Sequence, residues 1–352
     1  MLTPRSAATS SVANILVKAW YQQSRWLYCL LPLSYLYHGL SSLRRGLYLS
    51  GLLQRWKPPV PVIMVGNITV GGTGKTPLVI ALVNVLQEAG YKPGIVSRGY
   101  GSKAPFYPFL VSADKSPEHC GDEPLLMAIR TQVPVVIDAN RMAAAKQLVA
   151  AYDCDVIVSD DGLQHYALQR DIELVVVDGQ RGFANQQLLP AGPLRESIAR
   201  LKTVDFVISN GELVAMNRVV PGRVDSRTVY HTMQLQPSRL QKLNGDDAIT
   251  VQDWSQSKQV HAVAGIGNPD RFYTTLRQLG FEPIEHSYVD HHHYKAEDLQ
   301  FGDDLPVIMT EKDAVKVRNL IAPDNSWYLP VDAIVDQSCF EKILQQLHTL
   351  TR

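Results

Sequence analysis

Val60-Pro-Val-Ile-Met-Val-Gly-Asn67 leads into Ile68-Thr-Val-Gly-Gly-Thr-Gly-Lys75-Thr76, which is an apolar strand followed by a glycine-rich turn. Pro77 and the apolar run Leu78-Val-Ile-Ala-Leu-Val-Asn-Val-Leu86 come next and are typical of a helix with proline in its first turn. A strand, a glycine-rich turn and a helix in this order can cradle nucleotide phosphates with backbone N–H groups. The stretch therefore predicts a phosphate-binding loop in an α/β fold of the P-loop type.

The predicted loop is a variant of the strict P-loop pattern, because Thr69 stands where that pattern has glycine. Lys75 can reach the outer phosphates, and the Thr76 hydroxyl can coordinate Mg²⁺. A glycine-rich turn without a ligand is the alternative, but the flanking strand and helix favour phosphate binding. The residues expected to bind the nucleotide are Thr69, Val70, Gly71, Gly72, Thr73, Gly74, Lys75 and Thr76.

Short apolar strands alternate with helical segments after the loop. The predicted strands cover residues 92–97, 134–138, 156–160, 174–178 and 206–209, and the predicted helices cover 123–130, 141–152 and 194–201. This alternation indicates a buried parallel sheet with helices on both faces. From about residue 211 to 247 the pattern gives way to a polar stretch with a candidate strand at 228–234, and a second alternating block then starts at Val260, with predicted strands at 260–267, 306–310 and 327–331 and a helix at 270–279.

The N-terminal segment has an unusual charge pattern. No acidic residue precedes Glu88, whereas the segment contains cations, aromatic rings and many leucines. Such a mixture is typical of the surface of an anionic membrane. The longest uncharged run, residues 26–43, includes Pro32 and Gly39, so a helix lying on or dipping into the membrane is favoured over a spanning anchor. A helical element packed on the protein's own core is the third alternative.

The composition places broad limits on the class of protein. The chain has 352 residues, 45% of them hydrophobic and 19% charged, which suits a soluble globular protein of about two domains. Its net charge of zero gives no sign of nucleic-acid binding. The four scattered cysteines fit no zinc site and are expected to be reduced thiols. We divide the chain into a membrane-associating segment at 1–57, a P-loop core domain at 58–225 and a smaller α/β domain at 226–352.

Asp160-Asp-Gly-Leu-Gln-His165 follows directly after a predicted strand. Proteins with a phosphate loop place an acidic residue at such a strand end to complete the coordination of Mg²⁺. Asp160 and Asp161 are therefore candidate metal ligands together with Thr76. A solvated turn is the alternative, since Asp-Gly pairs are common in turns.

Two further motifs contain candidates for proton transfer. Asp122 in Gly121-Asp-Glu-Pro124 can be a helix cap, or it can help to accept the proton of a substrate hydroxyl. In Asp290-His-His-His-Tyr294, a histidine beside an aspartate suits acid–base chemistry, and a polar loop is the alternative. Lys312, at the end of a predicted strand, could face a cleft between the two domains.

Together these motifs resemble one family, the membrane-associated tetraacyldisaccharide 4′-kinases of lipid A biosynthesis. The resemblance extends from about Trp20 to the end of the chain. The motifs that carry it are Gly66-Asn-Ile-Thr-Val-Gly-Gly-Thr-Gly-Lys-Thr-Pro77, Ser97-Arg-Gly-Tyr100, Gly121-Asp-Glu-Pro124, Asp160-Asp-Gly-Leu-Gln-His165, Leu189-Pro-Ala-Gly-Pro-Leu-Arg-Glu196, Asp290-His291 and Thr310-Glu-Lys-Asp313.

The resemblance implies a kinase that uses ATP and Mg²⁺ to phosphorylate the 4′-hydroxyl of a tetraacylated glucosamine disaccharide 1-phosphate. It implies that the enzyme acts at the cytoplasmic face of a Gram-negative inner membrane, and that Asp122 and His291 form one proton-accepting unit. The residues at the family's substrate-lining positions are Arg98, Tyr100, Arg141, Gln164, His165, Arg195 and Glu196.

A membrane-recruited P-loop ATPase or nucleotide switch is the alternative function from another class. Such a protein needs segments ordered by the terminal phosphate, whereas the acid–base candidates here lie in a second domain that could close over a substrate. A soluble small-molecule kinase would leave the N-terminal segment without a role. The product distinguishes a kinase from a switch, because phosphate ends on a lipid in the first case and only on water in the second.

Overall fold

The computed structural model describes residues 12–212, 228–245 and 247–350. Within these residues the chain forms two β-sheets with helices packed against them. The predicted α/β class is confirmed, including a large and mainly parallel sheet.

The larger sheet has nine strands in the described part of the chain. They are β1 (Val62–Gly66), β2 (Pro93–Ser97), β3 (Phe109–Val111), β4 (Val135–Ile137), β5 (Val156–Asp160), β6 (Ile172–Asp178), β7 (Phe206–Asn210), β8 (Val229–Pro237) and β15 (Val331–Val335). Their order is β15-β8-β7-β6-β1-β5-β2-β4-β3, and only the edge strands β15 and β3 are antiparallel to their neighbours in this sheet. The parallel strands therefore bring the ends of β1, β2, β5, β6 and β7 to one edge.

Helices cover both faces of the larger sheet. They are α3 (Lys75–Glu88), α4 (Pro117–Cys120), α5 (Asp122–Thr131), α6 (Arg141–Ala151) and α9 (Gln337–Leu350). Ile63 and Val65 of β1 belong to the apolar cluster that includes side chains of α3, α5 and α9. Val62 and Met64 belong to the cluster on the opposite face, which includes Leu148 of α6. β1 is apolar at consecutive positions because both of its faces are buried.

The smaller sheet has six strands among the described residues. They are β9 (Leu240–Lys242), β10 (Ala248–Ile249), β11 (Gln259–Ala264), β12 (Glu282–Ser287), β13 (Val307–Thr310) and β14 (Ser326–Leu329), in the order β10-β9-β14-β13-β11-β12. Trp254, Phe281 and Trp327 pack together in one of its cores. Its helices are α7 (Pro269–Gln278) and α8 (Glu311–Val317). α8 begins directly after β13, so the end of that strand and the first turn of the helix are adjacent.

The N-terminal segment contains α1 (Val12–Tyr21), a 3-10 helix at Arg25–Leu30 and α2 (Leu31–Leu49). One side of this segment packs on the protein: Tyr37 Oη donates to the Arg195 carbonyl at 3.0 Å, and Ser34 Oγ donates to the Leu188 carbonyl at 2.9 Å. The other side of α2 exposes Leu33, Tyr35, Leu36, Leu40 and Leu43. None of the described helices combines the length and apolar character that a bilayer crossing requires.

Two sequence-based predictions differ from the structure. The predicted helix at 194–201 is absent: Leu194 pairs with Thr69 as an isolated bridge, and only a 3-10 helix at Ile198–Thr203 follows. The predicted strand at 327–331 is two strands, β14 and β15, separated at Pro330, and they lie in different sheets. Proline has no N–H to donate to a ladder, which explains the break.

The predicted domain division at residues 225 and 226 lies outside the described residues. Two strands of the predicted domain at 226–352 pair in the larger sheet, namely β8 at its start and β15 near its end. α9 also packs in the apolar cluster of the larger sheet. The smaller sheet is thus an insertion between β8 and β15, and the C-terminal part of the chain returns to the first sheet.

Candidate active site

The glycine-rich turn after β1 is held from two sides. The Asn67 amide donates to the Gly71 carbonyl at 3.3 Å and to Thr73 Oγ1 at 3.4 Å, and the Asn210 amide donates to the Thr73 carbonyl at 3.0 Å. Gly74 has a φ of 93° at the N-cap of α3, and a Cβ there would lie 2.7 Å from Asn210 Nδ2. Only glycine fits this position, because the backbone is left-handed and the space is filled.

A second segment runs beside the turn and supports it through backbone bonds. Val70 N donates to the Pro193 carbonyl at 2.8 Å, and Arg195 N donates to the Ile68 carbonyl at 2.7 Å. This is the motif at 189–196, which the sequence pattern placed partly in a helix. Because it adopts extended pairing instead, it brings Arg195 to the phosphate loop.

Lys75, Asp161 and Arg195 form one charged group at the ends of β1 and β5. Lys75 Nζ lies 3.4 Å from Asp161 Oδ1, and Arg195 Nη1 lies 3.2 Å from Asp161 Oδ2. Burial alone would raise the pKa of Asp161, but the charges of Lys75 and Arg195 outweigh burial and lower it to about 2. Asp161 therefore stays ionised and orients two cations beside the loop. Thr76 follows Lys75 as the second residue of α3.

Asp160 lies in a different environment from its neighbour. It is buried, accepts a hydrogen bond from Ser97 Oγ at 3.1 Å, and its Oδ1 has no hydrogen-bond partner among the described residues. Burial raises the pKa of Asp160 to about 7, and the nearby charges of Glu123 and Asp161 act in the same direction. A buried carboxylate oxygen without a hydrogen-bond partner among the described residues fits a ligand of Mg²⁺.

Among the described residues, no three or more His, Cys, Asp or Glu side chains are arranged to hold a metal ion by themselves. Mg²⁺ sites commonly combine one or two carboxylates with phosphate oxygens of the substrate. The donor set of Asp160 and Thr76 beside a phosphate loop is of this kind.

Asp122 and His291 meet although 168 residues separate them in the chain. His291 Nδ1 lies 2.9 Å from Asp122 Oδ2 and 3.2 Å from Asp122 Oδ1. Asp122 comes from the first turn of α5, whose N-cap is Gly121. Asp122 Oδ1 also accepts from the Glu123 backbone N–H at 2.9 Å, so the carboxylate contacts both the first turn of α5 and His291. Of the three adjacent histidines, His292 pairs with Asp298 at 3.1 Å, and His293 is exposed.

The pair is electrostatically biased toward a charged carboxylate. Burial alone would raise the pKa of Asp122, but its hydrogen bond with His291 and the charge of Lys312 lower the pKa to about 2. The hydrogen bond with Asp122 raises the pKa of His291 above its ordinary value. A carboxylate has only acceptor atoms, so the neutral imidazole carries its hydrogen on Nδ1 and leaves Nε2 able to accept a proton.

A group of cations lies near the end of β5. Arg141 is buried in the first turn of α6, and its Nη1 donates to the Asp138 carbonyl at 2.9 Å while Nε and Nη2 have no partners among the described residues. Burial, together with the charges of Arg141, Arg44 and Arg98, lowers the pKa of His165 to about 4. His165 therefore stays neutral among three arginines, which suits the recognition of an anion.

The remaining predicted substrate residues have different surroundings. Tyr100 is exposed, and its ring centroid lies 5.0 Å from that of His291. Gln164 Nε2 donates to the Asn67 carbonyl at 3.2 Å and to Glu196 Oε1 at 2.7 Å. The other oxygen of Glu196 accepts from Tyr166 at 2.8 Å. Gln164 and Glu196 are thus occupied in a network that supports the loop.

Several residues at the site were absent from our sequence-based assignment, including Arg44, whose charge acts on His165. Asn67 and Asn210 hold the loop, Ser97 bonds Asp160, and the Nη1 atom of Arg181 lies 3.9 Å from the position that a Cβ on Gly71 would occupy. Asn210 is the last residue of β7, Ser97 is the last residue of β2, and Arg181 follows shortly after β6. Their position at the strand ends next to the loop could have identified them.

Fold and site together define the class of P-loop phosphotransferases, with a glycine-rich loop of the P-loop type on one sheet and an Asp122–His291 pair whose members come from the two sheets. The model of one family, the tetraacyldisaccharide-1-P 4′-kinases (LpxK), matches residues 26–348. The chain belongs to this family and is an ATP-dependent phosphotransferase of the LpxK type.

Individual relatives agree with the family assignment. The chain is 46% identical to the tetraacyldisaccharide 4′-kinase of Hahella chejuensis over 338 residues, which are 95% of this chain and 96% of the relative. It is 50% identical to the enzyme of the same name from Alkalilimnicola ehrlichii, with 92% and 94% of the two chains covered. A crystal structure of LpxK from Aquifex aeolicus in complex with ATP matches with a TM-score of 0.77 and 28% identity, over 93% of this chain and 100% of that one.

Proposed function

We propose that this protein transfers the γ-phosphate of ATP to the 4′-hydroxyl of a tetraacylated glucosamine disaccharide 1-phosphate, the substrate class of lipid A biosynthesis. The observation that carries the proposal is the Asp122–His291 pair, with 2.9 Å between Asp122 Oδ2 and His291 Nδ1. A hydroxyl acceptor must lose a proton when it attacks phosphorus, and a kinase therefore needs such a pair. A nucleotide switch that passes phosphate only to water does not need a pair supplied by a second sheet.

The pair acts as one unit. The ionised Asp122 holds the His291 ring through Nδ1, and Nε2 takes the proton of the substrate hydroxyl. The hydroxyl oxygen then forms its bond to the γ-phosphorus, and the bond between that phosphorus and the bridging oxygen of ADP breaks. The Tyr100 ring beside His291 is exposed and can pack against the sugar.

The phosphate loop binds ATP through its backbone N–H groups and the Lys75 ammonium, with Arg181 as an additional cation beside Gly71. Asp160 and Thr76 would hold Mg²⁺, which would supply positive charge to neutralise the phosphates. Asp161 takes a different role from Asp160, since Lys75 and Arg195 already occupy its oxygens. It keeps both cations directed at the transferred phosphate.

The phosphate that the acceptor already carries binds at the cations Arg98 and Arg141, with neutral His165 among them. The buried Nε and Nη2 atoms of Arg141 have no partner among the described residues, and guanidinium groups of this kind bind phosphate oxygens well. Arg44 of α2 adds a third guanidinium, because its Nη1 lies 3.4 Å from the Gln164 carbonyl. The N-terminal segment thereby contributes directly to substrate recognition.

The protein associates with the cytoplasmic face of the inner membrane through α2. Leu33, Leu36, Leu40 and Leu43 follow each other at helical spacing and are all more than half exposed. The segment has no acidic residue, so an anionic leaflet attracts it along its whole length. An acylated substrate remains in the bilayer, and a kinase docked in this way can reach the sugar without extracting the lipid.

The test is to incubate the purified protein with Mg²⁺, the disaccharide 1-phosphate in detergent micelles and ATP labelled at the γ-phosphate, and then to separate lipid from inorganic phosphate. The proposal expects label on the lipid, at the 4′ position, and none with the Lys75→Ala variant. Label only in inorganic phosphate would overturn it in favour of the nucleotide switch.

A further inference from the structure

Lys312 occupies an unfavourable position for an isolated cation. It is the second residue of α8, and the amino end of a helix repels positive charge. Its side chain is only 16% exposed, so water cannot compensate this repulsion fully. A lysine in such a place needs carboxylate partners, and the identity of those partners indicates what it does.

The partners of Lys312 are three carboxylates from two parts of the protein. Its Nζ lies 3.0 Å from Glu123 Oε1, 3.6 Å from Asp122 Oδ2 and 3.2 Å from Asp290 Oδ1. Glu123 and Asp122 belong to α5 on the larger sheet, whereas Asp290 precedes His291 in a loop of the smaller sheet. Burial would lower the pKa of Lys312, but the charges of Glu123, Asp122 and Asp290 raise it, so the ammonium stays charged.

We propose that Lys312 is the positioning residue of the Asp122–His291 pair: it fixes the two parts of the pair across the boundary between the sheets and keeps the pair able to accept a proton near neutral pH. This inference rests on the proposed kinase function, in which the pair takes the proton of the substrate hydroxyl.

Lys312 positions His291 through Asp290, because one oxygen of Asp290 contacts both residues. Asp290 Oδ1 accepts from both Lys312 Nζ and the backbone N–H of His291, at 3.2 Å and 3.1 Å. His291 itself has a φ of 61°, a strained backbone for a residue other than glycine. Lys312 thus connects α5 to the turn that aims the imidazole at Asp122.

The charges around the His291 ring determine how readily it accepts a proton. The groups that face His291 are Asp122 from α5, Asp290 from its own loop, Lys312 from α8 and the uncharged ring of Tyr100. With Lys312 present, one cation offsets two carboxylates. Without it both negative charges act alone, and His291 would hold its proton to higher pH and accept fewer protons from a substrate.

The test measures the titration of the His291 ring by NMR in the full-length protein, with the His291→Ala variant to assign the signal. The variant Lys312→Met removes the charge, Lys312→Gln repeats the removal with a polar side chain, and Lys312→Arg keeps it. Arg130→Met is the matched control, because Arg130 also joins α5 to α8, through Glu311 at 2.9 Å, and does not contact the pair.

We expect the titration midpoint of His291 to rise by about one pH unit in Lys312→Met and Lys312→Gln, on the scale of one partly screened charge at short range. It should stay near the wild-type value in Lys312→Arg and Arg130→Met. An unchanged midpoint in the two neutral variants, with normal circular dichroism, would overturn the inference. This readout needs no turnover, so it decides about Lys312 even if the wild type labels no lipid.

The rate of phosphoryl transfer gives the second readout. The acid limb of the rate against pH should move upward with the His291 midpoint, so Lys312→Met should lose about tenfold at pH 6 and much less at pH 8.5. An equal loss at every pH would show that Lys312 supports only the fold at this boundary, which contradicts the inference.

Discussion

Replacing Asp160 with asparagine should stabilise the ligand-free protein at pH 8 and remove its phosphoryl-transfer activity. The carboxyl is buried, and burial followed by the charges of Glu123 and Asp161 raises its pKa from the ordinary 3.8 to about 7. The pKa of Asp160 is higher in the folded protein than in the unfolded chain. Ionisation of the buried carboxyl therefore does not destabilise the fold below pH 4, destabilises it increasingly between pH 4 and 7, and destabilises it to the full extent above pH 7. The difference between the two pKa values corresponds to a destabilisation of the folded protein by roughly 4 kcal/mol above pH 7.

Urea unfolding in the presence of a chelator measures this cost. The free energy of unfolding of Asp160→Asn minus that of the wild type should be near zero at pH 4 and approach about 4 kcal/mol at pH 8. Asparagine keeps an oxygen that can accept from Ser97 Oγ, so the variant loses the charge and little else. Added Mg²⁺ and ATP should stabilise the wild type more than the variant, since they bind through the carboxylate.

Asp161→Asn is the matched control on the neighbouring residue. Lys75 and Arg195 outweigh its burial and lower the pKa of Asp161, so its ionised form stabilises the fold above the unfolded pKa. The control variant should therefore be less stable than the wild type at pH 8, and the difference should shrink as the pH falls toward 2. A difference between Asp160→Asn and the wild type that is constant from pH 4 to 8 would refute our description of Asp160.

Two further predictions concern the phosphate loop and the membrane surface. Lys75→Ala should lower the transfer rate at least ~10³-fold without unfolding the protein, because the variant lacks the cation that stabilises the transferred phosphate. Circular dichroism and a rate assay check this prediction. Near-normal turnover would contradict the assignment of the phosphate loop. The double variant Leu36→Gln and Leu40→Gln should shift the protein from sedimented anionic vesicles to the supernatant, whereas Ile321→Gln, at an even more exposed apolar residue outside α2, should not. Equal release of both would contradict a membrane surface on α2.

Local sequence patterns predicted much of the larger sheet. β1, β5 and β6 are buried on both faces, and their near-continuous apolar runs could therefore be recognised without knowledge of their partners. The phosphate loop is equally local, since its strand, its turn and α3 are consecutive. Asp160 and Asp161 followed from the same reasoning, because the end of a buried strand beside such a loop is a defined place.

Long-range pairing could not be predicted from local patterns. Nothing near Val331–Val335 shows that this strand leaves the smaller sheet and pairs with β8, 94 residues earlier at the Val331–Pro237 pair. The failed helix at 194–201 has the same cause: Leu194 is drawn into a bridge with Thr69, a tertiary contact that overrides local preference.

The pair of Asp122 and His291 was partly predictable from the sequence. From the residues alone a helix cap was the favoured interpretation of Asp122, and His291 differed from the two histidines that follow it only by its neighbour Asp290. The three-dimensional contact selects His291, and the same contact reveals Lys312, whose partners come from two separate segments. Such a site depends on the relative position of the two sheets.

The proposed mechanism requires that Asp122 and His291 act as one unit, and a double-mutant cycle of the transfer rate measures this. Asp122→Asn and His291→Ala are assayed singly and together in single turnovers with saturating ATP, Mg²⁺ and lipid disaccharide. Residues that share one proton-transfer task are non-additive, so the double variant should be only slightly slower than the slower single variant. A double variant whose loss equals the product of the two single losses would show that the residues act independently and would contradict the account.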